Sequence, residues 1–143
     1  MLTRRGFAGV ASCAICGLAE FIAADASAQG AQPVPSGGGV TRKVLSQIDG
    51  PMPGYTTILA DVTIEAGVSV PRHTHPGIES SFVLEGGGFE LPVEGQPTRI
   101  INVGDAFQIP PETPHAGGKP NSNKSRLLIN YIVEKDKPLA KPV

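Results

Sequence analysis

Beyond residue 40, short runs of β-branched and aliphatic residues alternate with polar residues and are separated by glycine and proline. An alternation with a period of two is typical of strands with one buried face, and no window in this region offers a sustained helical period. The pattern predicts an all-β sandwich or jelly roll closed over one core. The predicted strands are Thr41–Ile48, Tyr55–Glu65, Ser69–His75, Glu79–Leu84, Gly88–Val93, Thr98–Val103, Ala106–Ile109 and Arg126–Glu134.

The composition agrees with a turn-rich β fold of one domain. Among 143 residues there are 18 glycines and 14 prolines, aromatic residues make up 5%, and tryptophan is absent. With 12 basic and 13 acidic residues, the formal net charge is −1. The chain therefore lacks the positive charge that recognition of a phosphate backbone or an anionic membrane requires, and we expect no nucleic-acid partner.

The N-terminal segment has the pattern of an export signal. Arg4 and Arg5 precede an uncharged run over residues 7–19, and Ala26–Ala28 offers the small-x-small pattern at which signal peptidase cleaves. The run is shorter than the roughly 18 to 20 residues that span a bilayer, so a retained membrane helix is the weaker alternative. We predict a signal peptide over residues 1–28, no stable membrane insertion after cleavage, and a periplasmic or secreted protein.

Thr3–Phe7 resembles the twin-arginine export signal, with paired arginines, one spacer and a phenylalanine. General secretory signals also carry paired arginines, so both routes stay open. Residues 10–13 loosely match a lipoprotein cleavage box, a third alternative. Both cysteines, Cys13 and Cys16, lie within this segment, and the mature chain would contain neither a thiol nor a disulfide.

The remaining chain divides into three parts. Residues 29–40 contain two prolines and three consecutive glycines, which predict a flexible linker. The strand pattern places the folded domain over residues 41–134. Residues 135–143 are polar, carry two prolines, and are expected to lie extended on the surface or against a neighbour.

All three histidines, His73, His75 and His115, fall within the predicted domain. On a strand, residues i and i+2 project from the same face, so the imidazoles of His73 and His75 can reach one point. Glu79 shares their parity, although Pro76–Gly77 predicts a turn or bulge that interrupts this argument. His115 follows a rigid proline-rich turn that would fix its position.

Three neutral imidazoles and one carboxylate suit a single divalent transition metal ion, whether iron, manganese, nickel, copper or zinc. The predicted ligands are His73, His75, Glu79 and His115. Octahedral coordination would leave two positions for water, dioxygen or substrate. Taken singly, each histidine is more often a solvated or core residue, but their joint spacing favours a metal site.

These residues resemble the two sequence motifs of the cupin superfamily. The first motif, G-x5-H-x-H-x3-E-x6-G, is met by Gly67, His73, His75, Glu79 and Gly86. The second motif, G-x5-P-x-G-x2-H-x3-N, is met by Gly104, Pro110 and His115, whereas Glu112 replaces its glycine and Lys119 its asparagine. Glu112 raises a question about the turn, because glycine permits a positive φ that glutamate resists.

The resemblance is to small single-domain bacterial cupins and extends from Thr41 to Glu134. It implies a cupin-type double-stranded β-helix, which is a jelly-roll barrel, with the metal held by the four residues named above. It also implies a homodimer. The reaction stays open, because the family includes dioxygenases, isomerases, decarboxylases, lyases and non-enzymatic binders.

Three functions are compatible with the sequence. The first is a dioxygenase-like, metal-dependent enzyme acting on a small organic substrate. The second is a non-enzymatic periplasmic cupin that binds a metal or ligand, and the third is a structural protein with a vestigial site. No catalytic residue apart from the metal ligands is identified, and no phosphate-binding loop occurs.

Several further side chains are assigned to the predicted cavity or to the surface. By parity with Glu79, Ser81 and Val83 are candidates for the cavity wall, and Phe107 or Gln108 is a further one, but plain core packing is the favoured interpretation for each. Arg72 alternates with His73 and is therefore expected on the surface.

Overall fold

The computed structural model of the chain describes residues 34–36, 38–117 and 122–143. Within these ranges the chain forms strands and no helix. The described residues therefore contain no helix long and apolar enough to cross a membrane. The strands are β1 (Val34–Ser36), β2 (Val40–Asp49), β3 (Tyr55–Ile64), β4 (Val70–Thr74), β5 (Gly77–Glu85), β6 (Gly87–Leu91), β7 (Arg99–Asn102), β8 (Ala106–Ile109), β9 (His115–Gly117), β10 (Ser125–Glu134) and β11 (Lys141–Pro142). The predicted signal peptide over residues 1–28 lies outside the described residues and stays a prediction.

The largest sheet has the strand order β1-β2-β3-β10-β5-β8, with all neighbours antiparallel. β10 pairs along its full length with β3 and, on its other edge, with β5. Its odd-numbered side chains are buried and its even-numbered ones are half-buried. The period-two pattern of the sequence therefore decides which face of this sheet lies on the core.

Two smaller sheets cover that face. One has the order β11-β4-β9 and the other pairs β6 with β7. A bridge between Val93 and His115 connects them, because Val93 lies two residues after the end of β6 and His115 begins β9. Side chains from the large sheet and from the β6–β7 sheet form one buried apolar cluster, including Ala60, Val62, Phe89, Leu91, Ile101 and Ile129. The predicted all-β jelly roll is confirmed.

The eight predicted strands are all present, and each begins and ends within two residues of its predicted bounds. Three further strands, β1, β9 and β11, have only two or three residues and were not predicted, because so short a segment shows no periodicity. β1 lies in the predicted linker and pairs with β2. β11 lies in the predicted tail and pairs with β4.

The proline-rich turn before β9 takes a left-handed backbone at Glu112, with φ 52°. For an L-residue this conformation costs about 1 to 2 kcal/mol. The Glu112 N–H donates to the carbonyl of His75 (2.9 Å), and the Thr74 hydroxyl lies 3.4 Å from the Glu112 carboxylate. The turn thus docks on the end of β4 and brings both histidine-bearing segments together. Lys119, the other departure from the motif, lies outside the described residues.

Gly77 begins β5 at a point where the strand lies directly against β10. A Cβ atom at this position would collide with the carbonyl oxygen of Ile132. The missing side chain lets Gly77 pair with Val133, and this pairing sets the register of β5. Glu79 follows two residues later on the same, inward-facing side of the strand.

Candidate metal centre

The structure brings the four predicted ligands together at one end of the barrel interior. His73 lies on β4 and His75 directly after it, whereas Glu79 lies on β5 and His115 begins β9. His75, Glu79 and His115 are only 1%, 5% and 3% exposed, and His73 is half-buried. One nitrogen or oxygen atom from each residue lies within 4.8 Å of the others. The predicted interruption at Pro76–Gly77 separates β4 from β5, yet Glu79 still faces the histidines.

The Nδ1 atom of each histidine contacts a main-chain carbonyl oxygen. The three contacts are His73 to Pro71 (2.7 Å), His75 to Leu139 (2.5 Å) and His115 to Thr113 (2.9 Å). A carbonyl oxygen can only accept a hydrogen bond, so each Nδ1 must carry the proton and donate. In the neutral rings, each Nε2 therefore presents a lone pair to the centre of the cluster.

The atoms at the centre are all hydrogen-bond acceptors in this protonation state. The Nε2 atoms of His73 and His75 are 3.2 Å apart, and Glu79 Oε2 lies 2.8 Å from His75 Nε2 and 3.5 Å from His115 Nε2. Four lone-pair donors at these distances repel one another unless a proton or a metal ion lies among them. This donor set fits a divalent transition metal ion.

Glu79 is held in its charged form despite its burial. Burial alone would raise the pKa of its carboxyl, but the close contacts of the carboxylate with the His115 and His75 rings lower that pKa well below its usual range. The Ser81 hydroxyl donates to Glu79 Oε1 at 2.7 Å, which leaves Oε2 directed at the histidines. A carboxylate that is ionised and oriented in this way is suited to bind a cation.

The surroundings of His73 and His115 shift the pKa values of these two rings in opposite directions. Burial lowers the pKa of His73, and the nearby rings of His115 and His75 lower it further. Burial also opposes protonation of His115, but its contacts with Glu79 and with the Thr113 carbonyl outweigh burial and raise its pKa. Before a metal binds, His115 therefore takes up a proton more readily than His73 does.

A cavity of about 70 Å³ opens beside the cluster and is lined by His73, Glu79 and His115. Most of its remaining wall is apolar, contributed by Val40, Val62, Phe89, Leu91, Phe107, Leu127 and Ile129. Two polar side chains, Arg42 and Tyr131, also line it. The Tyr131 ring lies 5.0 Å from the His75 ring, between centroids, and burial followed by the Glu79 charge raises the pKa of the phenol.

Of the candidate lining residues, Phe107 lines the cavity beside the cluster. Ser81 and Val83 are buried on the inward face of β5 but do not line that cavity, and Val83 is part of the apolar core. Gln108 is exposed on the opposite face, where its amide donates to Ser80. Arg72 is exposed, as predicted, and forms an ion pair with Glu94.

Sequence reasoning missed three residues of this region. Arg42 has a recognisable signal, because it is a charged residue on the apolar parity of β2, between Val40 and Val44. Tyr131 has a weaker one, since an aromatic ring on the buried face of a strand is usually only core. The carbonyl of Leu139 has no sequence signal at all, because a main-chain atom contacts His75 there irrespective of the side chain.

Residues 60–129 match the family model described as Cupin domain. This segment contains all four candidate ligands. Together with the sheet topology, the match defines a protein of the cupin fold, and the predicted cupin-type double-stranded β-helix is confirmed. No curated protein sequence matches the chain significantly.

Solved structures share this fold at low sequence identity. DMSP lyase DddQ from Ruegeria pomeroyi DSS-3 aligns with a TM-score of 0.64 at 22% identity, over 79% of this chain and 61% of the lyase. The polyketide cyclase RemF from Streptomyces resistomycificus gives 0.60 at 23% identity, over 81% and 82%. A cupin-2 domain protein from Rhodospirillum rubrum gives 0.61 at 19% identity, over 80% and 76%. The chain thus spans about three fifths of the lyase, and these likenesses concern the fold alone.

Proposed function

We propose that the chain binds one divalent transition metal ion through His73, His75, Glu79 and His115 and is a metal-dependent enzyme acting on a small organic molecule. The observation that carries this proposal is the convergence of three Nε2 lone pairs and one ionised carboxylate beside a cavity. A metal ion of this kind supplies Lewis-acid chemistry or activates dioxygen. We propose dioxygenase-like oxidation as the first reaction class to test.

The side chains around the site have separate roles in this proposal. The carbonyls that accept from the histidine Nδ1 atoms fix the tautomers, and Ser81 fixes the Glu79 carboxylate. The apolar wall excludes water and strengthens electrostatic interactions inside the cavity. Tyr131 stays protonated at neutral pH because its pKa is raised, so its hydroxyl is a neutral donor.

Metal analysis tests the binding step directly. We expect protein purified from its native compartment to contain about one equivalent of a transition metal, and His75→Ala to lose most of it, because one of four ligands is removed. Thr56→Val is the control, since Thr56 is also buried but lies outside the cluster of candidate ligands. Full occupancy of His75→Ala at the same free-metal concentration would overturn the assignment.

Oxygen uptake tests the reaction class. Catechols, flavonols and β-diketones form the first substrate panel, and steady uptake with one metal supports the oxygenase. Two structural neighbours are named as a lyase and a cyclase, so substrates for non-oxidative elimination and cyclisation belong in the same panel. The second candidate is a non-enzymatic binder, which the small and mostly apolar cavity favours. Stoichiometric metal without turnover of any compound would favour that binder.

We also propose export to the periplasm through the twin-arginine signal. Arg4 and Arg5 are replaced by lysine in a tagged full-length chain, and periplasmic and cytoplasmic fractions are compared. Retention of the variant in the cytoplasm supports the twin-arginine route. Unchanged export of the variant would favour the general secretory route.

A further inference from the structure

One arginine points into the barrel. Arg42 lies on β2 between Val40 and Val44, which are buried and packed against the core respectively. Since alternate residues of a strand share a face, Arg42 projects from the same inward side. It lines the cavity that also contains His73 and Glu79.

The Arg42 guanidinium has no anionic partner among the described residues. Its Nε atom is fully buried and is the single buried side-chain donor of those residues that lacks a hydrogen-bond partner. None of the ion pairs formed in the described part of the chain includes Arg42. Buried polar groups are almost always satisfied, so this donor in the cavity wall calls for an acceptor, which a ligand in the cavity would supply.

The contact of Arg42 with Tyr131 does not meet this need. The guanidinium carbon lies 5.7 Å from the centre of the Tyr131 ring, at cation–π distance. Arg42 also makes a side-chain hydrogen bond with the Tyr131 hydroxyl, but its Nε atom has no partner among the described residues. A water molecule would satisfy Nε, but it would leave the charge of this half-buried guanidinium without an anionic partner.

We propose that Arg42 binds the carboxylate of a small organic acid, with the remainder of the acid directed at the metal centre. The planar fork of guanidinium N–H groups matches the two oxygens of a carboxylate. The apolar wall suits a short hydrocarbon chain, and a cavity of about 70 Å³ admits only a few non-hydrogen atoms. The orientation toward the metal rests on the proposed function, whereas the pairing with Arg42 does not.

The charges within the cavity agree with an anionic ligand. The Glu79 carboxylate is the one negative charge on the cavity wall, and a divalent ion bound at the cluster would exceed it. Arg42 adds a further positive charge, and Tyr131 contributes none at neutral pH. The filled site would therefore be net positive and would favour an acid over the corresponding neutral amide.

The wild-type protein tests this inference without any substitution. Butanoate and butanamide, which have the same size and shape, are titrated calorimetrically into metal-free and zinc-loaded protein. Because charged hydrogen bonds are the stronger ones, we expect butanoate to bind about tenfold more tightly than butanamide in both forms. Equal binding of acid and amide, repeated for the pairs from acetate to hexanoate, would overturn the inference.

Variants then assign the preference to Arg42. We expect Arg42→Met to weaken butanoate binding about tenfold and to leave butanamide binding unchanged, because only the acid uses the guanidinium charge. Arg72→Met is the control, since Arg72 is an exposed arginine already paired with Glu94. If Arg42→Met keeps the full acid preference while folded, the metal and not Arg42 holds the carboxylate, and the inference is wrong. If that variant does not fold, the wild-type comparison decides.

The two proposals fail in different ways in this experiment. Zinc binding without an acid preference would leave the metal centre intact and remove the role of Arg42. An acid preference in protein that binds no metal would support the role of Arg42 and remove the metal centre.

Discussion

The Nδ1 atom of His75 donates a hydrogen bond to the carbonyl of Leu139, 64 residues further along the chain, at 2.5 Å. Leu139 packs against the core, and β11 next to it pairs with β4, so this carbonyl is held from two sides. The segment 139–143 therefore orients a candidate metal ligand, although it contributes none of its own side chains to the cluster.

Removal of residues 139–143 should weaken metal binding by about 10- to 100-fold, as loss of an outer hydrogen-bond partner typically does. The physical reason is that His75 loses its tautomer preference and its ring orientation. Competition with a chromophoric chelator measures the affinity, and ¹⁵N chemical shifts of metal-free protein report the tautomer. Lys141→Ala keeps the main chain and is expected to bind metal like the wild type. An unchanged His75 tautomer in the truncated chain would contradict this role for Leu139.

Metal affinity should fall as the pH decreases, because protonated imidazole does not coordinate a metal. The pKa of His115 is raised, so its protonation competes with metal already above the ordinary histidine value near 6.5. The pKa of His73 is lowered, so this ring stays neutral to more acidic pH. Affinity measured from pH 8 to 5 should therefore begin to decline above pH 6.5. Constant affinity across this range would argue against imidazole ligands.

Glu112→Gly should raise the free energy of unfolding by about 0.5 to 1 kcal/mol. Relief of the left-handed strain contributes about 1 to 2 kcal/mol, and the greater freedom of glycine in the unfolded chain offsets part of it. Urea denaturation of metal-free protein measures the change. Glu112→Ala is the control, because it removes the contact with Thr74 but keeps the strain. If Glu112→Gly is less stable than the wild type, the Glu112 carboxylate contributes more to the free energy of unfolding than the left-handed backbone costs.

Gly77→Ala should destabilise the protein by about 1 to 3 kcal/mol, the usual cost of forcing an extra methyl group into a packed region. The added Cβ meets the Ile132 carbonyl, so β5 must move away from β10. Metal affinity should fall as well, because Glu79 moves with the strand. Ile78→Ala, at the exposed neighbouring position, is expected to leave metal affinity unchanged. Denaturation and metal titration of both variants test whether stability and metal affinity fall together in Gly77→Ala.

The homodimer stays a prediction, and the outer face of the large sheet is where we expect its contact. Ile48, Ile78 and Phe82 are 65%, 39% and 44% exposed on that face. Burial of this apolar area against a second copy would be favourable. Phe82→Glu places a charge in that contact and should convert a dimer into a monomer. Light scattering coupled to size-exclusion chromatography measures the mass, with Gln96→Glu in an exposed turn as the control. A monomeric wild-type chain would refute the prediction.

The sequence predicts the long strands because each buries alternate side chains, as in β3 and β10, and a period of two is visible over ten residues. It also predicts the four clustered residues, since histidine and glutamate at these spacings have few other reasons to coincide. It does not predict the partners of the histidine Nδ1 atoms. Those partners are main-chain carbonyls, and their positions depend on tertiary packing and not on residue type.

The position of Arg42 shows a different limit of sequence reasoning. Its parity is readable, but parity alone does not distinguish an inward arginine from a strand that twists its side chain toward solvent. Only the closed barrel shows that its Nε is buried and that Tyr131 and the metal cluster share its cavity. A single charged residue on the apolar side of a strand therefore merits attention when a sequence predicts a barrel.

The strand order of the large sheet also sets the time at which the site matures during synthesis. β3 and β5 leave the ribosome early, but β10, which lies between them, and Leu139, which fixes His75, emerge late. Until then, a metal ion would meet a His75 ring whose tautomer is not fixed. Because the proposed ligand set suits several metals, we expect the metals available in the compartment where folding finishes to decide which one binds. For a chain exported after folding this compartment is the cytoplasm, and for one exported unfolded it is the periplasm.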